Sequence, residues 1–168
     1  MRLISGTRDL AEAELSERGR LAALLNATVP GAWPPETLRD ALPLFLSSCR
    51  RSGLFGPWSL GWYGILETTG SATSTLCGSV GFKGPPSPQG VVEIGYAVLP
   101  DYQRRDLATE MVVALSRWAL SQPGVKEVHA EVSAENSSSV RVLEKSGFIP
   151  SGSGQESGSL VFRLSAIS

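Results

Sequence analysis

The chain has 168 residues, 42% apolar and 18% charged, the composition of a globular protein with room for a sizeable core. Its net charge of −1 argues against an electrostatic grip on nucleic acid or anionic lipid, so no nucleic-acid partner is expected. Cys49, Cys77 and His129 have neither the density of a disulfide scaffold nor metal-ligand spacing, so no metal is expected.

No run approaches the length of a membrane span, and "MRLISGTRDL" has no apolar core of a leader. The expected location is the cytoplasm, away from membranes and with both thiols reduced. A single domain over 1–168 is expected, as a monomer or homodimer.

After a short opening strand, the first part of the chain reads as helical. "ELSERGRLAALLNATV" carries an apolar face of Leu21, Leu24, Leu25 and Thr28. "WPPETLRDALPLFLSSCRR" opens on prolines suited to a first turn and aligns Leu38, Leu42, Phe45 and Cys49. Pro43 lies inside that stripe and predicts a kink or break near Leu42. From Trp58 the hydrophobic period changes to two. "WSLGWYGIL", "STLCGSVGF" and "VVEIGYAVL" read as strands separated by turn-rich "ETTGSATS" and "KGPPSPQG". Trp33, Phe55, Trp58 and Trp62 are candidates for an apolar wall or lid, or for core.

Helical spacing returns from Gln103 to Ser121, with Leu107, Met111, Leu115 and Trp118 on one face. "VKEVHAEVS" alternates strictly, setting Val128, Ala130 and Val132 against Glu127, His129 and Glu131. In "NSSSVRVLEKSGF" a short helix is capped by Asn136 or a neighbouring serine and stopped by Gly147. "SGSGQESGS" reads as a linker between two last strands, and "LVFRLS" closes the fold. Helices, a meander and then alternating strands and helices predict a mixed α/β (α+β) sheet.

The turn from Gln103 to Ala108 leads a strand into a helix. Such a turn offers unpaired backbone N–H groups and the positive end of a helix dipole, a site for anions. Arg104 and Arg105 add positive charge, although a solvated basic turn capped by Asp101 would look the same. Neither a Walker A loop nor a GxGxxG fingerprint is present.

"EIGYAVLPDYQRRDLATEM" resembles the signature of the GNAT superfamily of acetyl-CoA-dependent N-acetyltransferases. In that family a strand ends in a hydrophobic-x-Pro step, followed by Gln/Arg-x-x-Gly-x-Gly/Ala opening a helix. The match here is Gln103, Arg104, Arg105, Asp106, Leu107 and Ala108. "ENSSSVRVLEKSGF" resembles the second signature, Asn-x-x-Ser with a following Lys-x-Gly-Phe. "GSVGFKGPP" and "GVVEIGYAV" are similar to the branch of ribosomal-protein alanine acetyltransferases (RimJ/RimL-like), and "WPPE" to other members of it. The resemblance runs from Cys77 to Phe148.

The resemblance implies a GNAT fold: a twisted, mostly antiparallel sheet, splayed between two central strands, with helices on both faces. It implies transfer of acetyl from acetyl-CoA to a primary amine, on a small molecule or a protein N-terminus, by direct attack in a ternary complex. Backbone groups of Tyr96, Ala97 and Val98 would bind the pantetheine arm, with the Val98 N–H directed to the thioester carbonyl. Backbone N–H groups from Arg104 to Ala108, entered from Gln103, would hold the pyrophosphate, and Asn136 would contact the arm. Glu93 and Glu131 are alternative proton acceptors, with His129 a possible relay two residues from Glu131. The family tyrosine that reprotonates the thiolate is replaced by Leu143, and Ser139 matches the serine that one branch uses instead.

Asp106 departs from the pattern, which has glycine there. At ~6 Å and a dielectric of about 40, one charge pair repels by roughly 1.4 kcal/mol, so Asp106 is expected to weaken pyrophosphate binding. The alternative function is therefore a degenerate GNAT-fold binding module without turnover.

Overall fold

The computed structural model describes residues 1–39, 41–53, 56–67 and 73–165. Phe55 and residues 68–72 of the expected turn lie outside these, as does the side chain of Phe45. Strand β1 (Arg2–Ser5) leads into helices α1 (Arg8–Ser16) and α2 (Arg18–Leu25). The Thr7 hydroxyl accepts the Leu10 N–H at 3.2 Å and so caps α1. Asn26 ends α2 in the left-handed region, at φ 48°. Leu21 and Leu25 are buried, but Leu24 is 46% exposed, so the apolar face is narrower than its spacing suggested. Thr28 has left the helix and bridges to Thr75.

Helical residues run over α3 (Glu36–Arg39) and α4 (Ala41–Ser52), on either side of residue 40, which lies outside the described residues, and Pro43 lies within α4. The break expected near Leu42 is not seen at Leu42 itself, since Leu42 and Pro43 are both helical. Strand β2 (Trp62–Glu67) starts later than Trp58. The amides of Ser59 and Leu60 bond back to the Gly56 carbonyl at 3.0 and 3.1 Å, which makes that stretch a turn.

The remaining elements are β3 (Ser74–Phe82), β4 (Val91–Val98), α5 (Leu107–Leu120), β5 (Glu127–Ser133), α6 (Ser137–Lys145), β6 (Ile149–Ser153) and β7 (Ser159–Ser165). Helix α5 begins at Leu107 rather than Gln103, and β6 takes in Ser151 to Ser153 from the expected linker. The strands form one sheet in the order β1-β2-β3-β4-β5-β7-β6. Among the seven strands described, only β4 and β5 pair with each other in parallel, which is the mixed, mostly antiparallel sheet expected.

Helices cover both faces. On one, Leu10, Ala13, Leu21 and Leu25 of α1 and α2 pack on Tyr63, Ile65 and Leu76. On the other, Met111, Val112 and Leu115 of α5 and Leu143 of α6 pack on Val80, Ile94, Val128 and Phe162. A bulge serves both cores. The register steps from Gly64↔Gly78 to Ile65↔Leu76, and the extra residue Cys77 turns Leu76 towards α1 and α2.

The β4–β5 ladder is short: Val91↔Glu127, Val92↔Val128 and Glu93↔His129. Beyond it, β4 stays with β3 as far as Val98↔Gly78, and β5 stays with β7 as far as Ser133↔Ser159. The sheet therefore parts into a V whose apex is the Glu93–His129 step.

Gly78 sets how closely α5 and β4 approach the centre of the sheet. A Cβ there would lie 2.7 Å from the Ala97 carbonyl oxygen and 2.8 Å from the Met111 Cε. Because the nearer obstacle is backbone, Gly78→Ala is expected to lose about 1–3 kcal/mol of stability. Thermal unfolding checks this as a drop in Tm of several degrees.

Candidate functional site

Alternation along β4 decides which of its backbone groups face the V. Lys83 N–H donates to the Glu93 carbonyl and Leu99 N–H to the Cys77 carbonyl, both at 2.9 Å. In an antiparallel pair such residues recur every second position, so Gly95 and Ala97 also turn towards β3. Tyr96 and Val98 turn the other way, where β5 has already departed. The Val98 carbonyl accepts from Gln103 Nε2 at 3.1 Å, while the amides of Tyr96 and Val98 face the opening. Of the three residues expected to line the slot through backbone, Ala97 thus gives its groups to the sheet.

The turn after β4 holds a run of free donors. A short 3₁₀ turn covers Pro100–Tyr102, and the Gln103 N–H closes it on the Pro100 carbonyl at 3.2 Å. From Arg104 to Thr109, six consecutive backbone N–H groups have no acceptor among the described residues; the next, Glu110, bonds to the Asp106 carbonyl at 3.0 Å. The Thr109 hydroxyl is buried and also without a partner. Arg104 and Asp106 both have left-handed backbone, at φ 58° and 55°. This is the physical reason that the family pattern prefers glycine where Asp106 stands. Arg105 lies 5.7 Å from the centre of the Tyr102 ring, and neither Arg104 nor Arg105 pairs with an acid among the described residues.

Asp106 is the N-cap of α5 rather than a residue inside it, and its side chain caps nothing. Lys145 on α6 donates to Asp106 Oδ1 at 2.6 Å. The expected repulsion is therefore countered by a lysine from the second signature.

Asn136 caps α6: its Oδ1 accepts the Ser139 N–H at 3.1 Å and the Ser138 hydroxyl at 2.8 Å. That leaves its amide nitrogen free to donate. Tyr96 reaches across the V, its hydroxyl donating to the Ser139 carbonyl at 3.1 Å. Burial pushes this phenol up to about 12. Leu143, at the position of the missing tyrosine, is fully buried in the core.

The two candidate bases differ. The Glu131 carboxylate accepts the Ser159 hydroxyl and, at 3.0 Å, the Glu156 N–H. These hydrogen bonds, the Ser159 one first, hold its pKa below the usual carboxylate range. Gly154 packs against this carboxylate, so Glu131 fastens the β6–β7 turn. Glu93 sits at the apex of the V, ion-paired with Lys83. Glu93, His129 and Glu131 line one small cleft, but His129 Nε2 lies 2.9 Å from Glu127 Oε2 and does not bond to Glu131.

A second cavity was not legible in the sequence. An apolar pocket of about 250 Å³ lies over β2, β3 and β4, walled by Leu38, Leu42, Leu46, Leu60 and Phe82 and reaching Gly95–Ala97. Glu14 of α1 lines it, accepting from Trp33 Nε1 at 2.7 Å and from the Tyr63 hydroxyl at 2.6 Å. The signal was present: Glu14 stands four residues after Leu10 and three after Ala11, on the buried face of α1. Of the expected aromatic wall, Trp33 braces Glu14, while Trp58 and Trp62 stack with Trp118 at 4.8 and 5.2 Å. Among the described residues no group of potential metal ligands occurs, and no helix is long and apolar enough to cross a membrane.

A family model described as an acetyltransferase (GNAT) domain matches residues 14–149. The uncharacterized N-acetyltransferase YjdG of Bacillus subtilis (strain 168) is 31% identical over 71% of this chain and 68% of its own length. The solved structure of aminoglycoside acetyltransferase AAC(6')-Ib in complex with coenzyme A superposes with a TM-score of 0.60. It is 20% identical and covers 97% of this chain and 93% of that one. A variant of spermidine N-acetyltransferase SpeG from Vibrio cholerae gives a TM-score of 0.58 at 16% identity, covering 97% of this chain and 92% of that one.

The left-handed backbone of Asp106 makes a stability series informative. Asp106→Gly relieves about 1 kcal/mol of backbone strain. It forfeits an exposed ion pair worth about 0–1 kcal/mol. Asp106→Ala forfeits the pair and keeps the strain. The expected order of Tm is Gly equal to or above Asp, with Ala below both by about 2–4 °C. Thermal melts of the three proteins check that order.

Proposed function

The chain belongs to the GNAT acetyltransferase family, and from that premise we propose that it transfers acetyl from acetyl-CoA to a primary amine by direct attack while both are bound. The observation that carries this reading is the run of six free amides from Arg104 to Thr109, beside a strand edge with free amides at Tyr96 and Val98. The donor set fits the ligand. Clustered N–H groups at a helix start, with Arg104 and Arg105 paired with no acid among the described residues, suit a pyrophosphate. An open strand edge suits an amide-bearing arm, which can hydrogen-bond there as another strand would.

Acetyl-CoA supplies the acetyl group as a thioester. The turn amides hold its pyrophosphate, Tyr96 and Val98 offer N–H groups to its arm, and Asn136 offers its side-chain amide. Oriented this way, the Val98 N–H stabilises negative charge developing on the thioester oxygen. An ammonium ion is not a nucleophile, so the acceptor must first lose a proton. Glu93 takes that proton, directly or through one water, because it stands at the apex of the V, whereas Glu131 is held through Oε1 by Ser159 and Glu156 of the β6–β7 turn. Ser139, whose backbone is fixed by Asn136 and Tyr96, carries the hydroxyl that relays a proton from water to the sulfur as the carbon–sulfur bond breaks, taking the water's proton as it gives up its own. The pairing of Asp106 with Lys145 weakens the charge argument for a binding module without turnover.

The two glutamates separate in one experiment. Glu93→Gln is expected to lower kcat by about 10²–10⁴-fold with acetyl-CoA affinity little changed. Glu131→Gln should keep turnover and lower Tm at neutral pH. Its carboxyl has a depressed pKa in the fold, so its stabilisation is complete above the unfolded carboxylate range. That stabilisation is lost as pH falls through the folded pKa, so the Tm deficit of Glu131→Gln should shrink on acidification. Mass spectrometry of an acetylated amine panel, with thermal melts at several pH values, checks both. Unchanged kcat in Glu93→Gln would remove Glu93 from the mechanism.

A further inference from the structure

Glu14 is a carboxyl that no cation among the described residues balances. Its two partners, the Trp33 N–H and the Tyr63 O–H, are neutral donors, and no lysine, arginine or histidine pairs with it among the described residues. Lys83, the cation lining the same pocket, is engaged by Glu93. Burial pushes the Glu14 carboxyl up, against the pull of its two hydrogen bonds. A partly buried carboxylate with no counter-ion is costly, and a ligand cation relieves that cost. Two neutral bonds also leave lone pairs on both oxygens.

The register of the sheet spaces the residue that holds this carboxylate from the V. Tyr63 pairs with Ser79, and Ser79 pairs with Ala97. The residue that holds Glu14 and the strand that borders the V are therefore two strand spacings apart, about 10 Å. One nitrogen cannot reach Glu14 and the edge of β4 together. The pocket is lined by Leu38, Leu42, Leu46 and Leu60, and a side chain added at Gly95 would meet nothing within 4 Å.

We propose that the pocket selects an acceptor with two amino groups joined by an aliphatic spacer, one ammonium held by Glu14 and the other amine presented at the edge of β4. The spacer is about four to six methylenes, the reach of two strand spacings less a hydrogen bond at the Glu14 end. The proposal deepens the acetyl-transfer reading and rests on it for the role of the second amine. Glu14 is a specificity residue here, remote from the reacting atoms. Trp33 and Tyr63 are positioning residues, since they fix the carboxylate at the pocket wall.

The test is calorimetric binding of 1,4-diaminobutane, 1,6-diaminohexane, butylamine and hexylamine to the protein, alone and with coenzyme A, before and after Glu14→Gln. Wild-type protein should bind a diamine about tenfold or more tightly than the monoamine of equal length, the worth of a charge-assisted hydrogen bond. In Glu14→Gln that discrimination should collapse. Equal binding of diamine and monoamine by the wild type overturns the proposal whatever the variant does, and so does discrimination that survives in the variant. Coenzyme A reports separately. If it fails to bind, the acetyl-transfer reading falls, and the amine titrations of the protein alone still decide the role of Glu14.

Discussion

The structure depends on one unfinished ladder. Strands β4 and β5 pair over three residues and then part, while β4 stays paired with β3 and β5 with β7. Backbone groups left without a strand partner must find another acceptor or donor. In this chain they face an opening, so the parting converts a sheet edge into a binding surface inside the fold. Two contacts bridge the gap: the Tyr96 hydroxyl reaching the Ser139 carbonyl, and Lys145 on Asp106. Both link the β4–α5 arm to α6, and both join residues of the first signature to residues of the second.

The same logic explains the turn. A helix start that follows a strand this closely cannot satisfy its own first amides. The left-handed residues Arg104 and Asp106 leave six of them unpartnered. Glycine would adopt this backbone without strain, whereas aspartate adopts it at a cost that Lys145 partly offsets. A residue that looked like an electrostatic obstacle is thus a backbone compromise with its charge tied down.

Much of this was legible in the sequence because it rests on local spacing. The α5 stripe, the Asn136 cap, the Gly147 stop and the signature residues are separated by a few positions, where helix and strand periods dominate. What was not legible rests on contacts between distant segments. Glu14 gains its meaning from Trp33 and Tyr63, and Glu131 loses its freedom to Ser159 and Glu156. The Cys77 bulge could not be read either, since strict alternation gives no sign of an extra residue until both strands are paired. Trp58 misled for the opposite reason: an aromatic in a tight turn imitates the first residue of a strand.

The central claim is that the free amides of the β4 edge and of the following turn together receive acetyl-CoA. Amide hydrogen exchange, measured residue by residue with and without acetyl-CoA, tests it most directly. The account predicts slower exchange at Tyr96, Val98 and 104–109, with Ala97 unchanged because its amide is already bonded to β3. Acetyl-CoA that binds while leaving those amides at their free rates, or that protects a different part of the sheet, would contradict it.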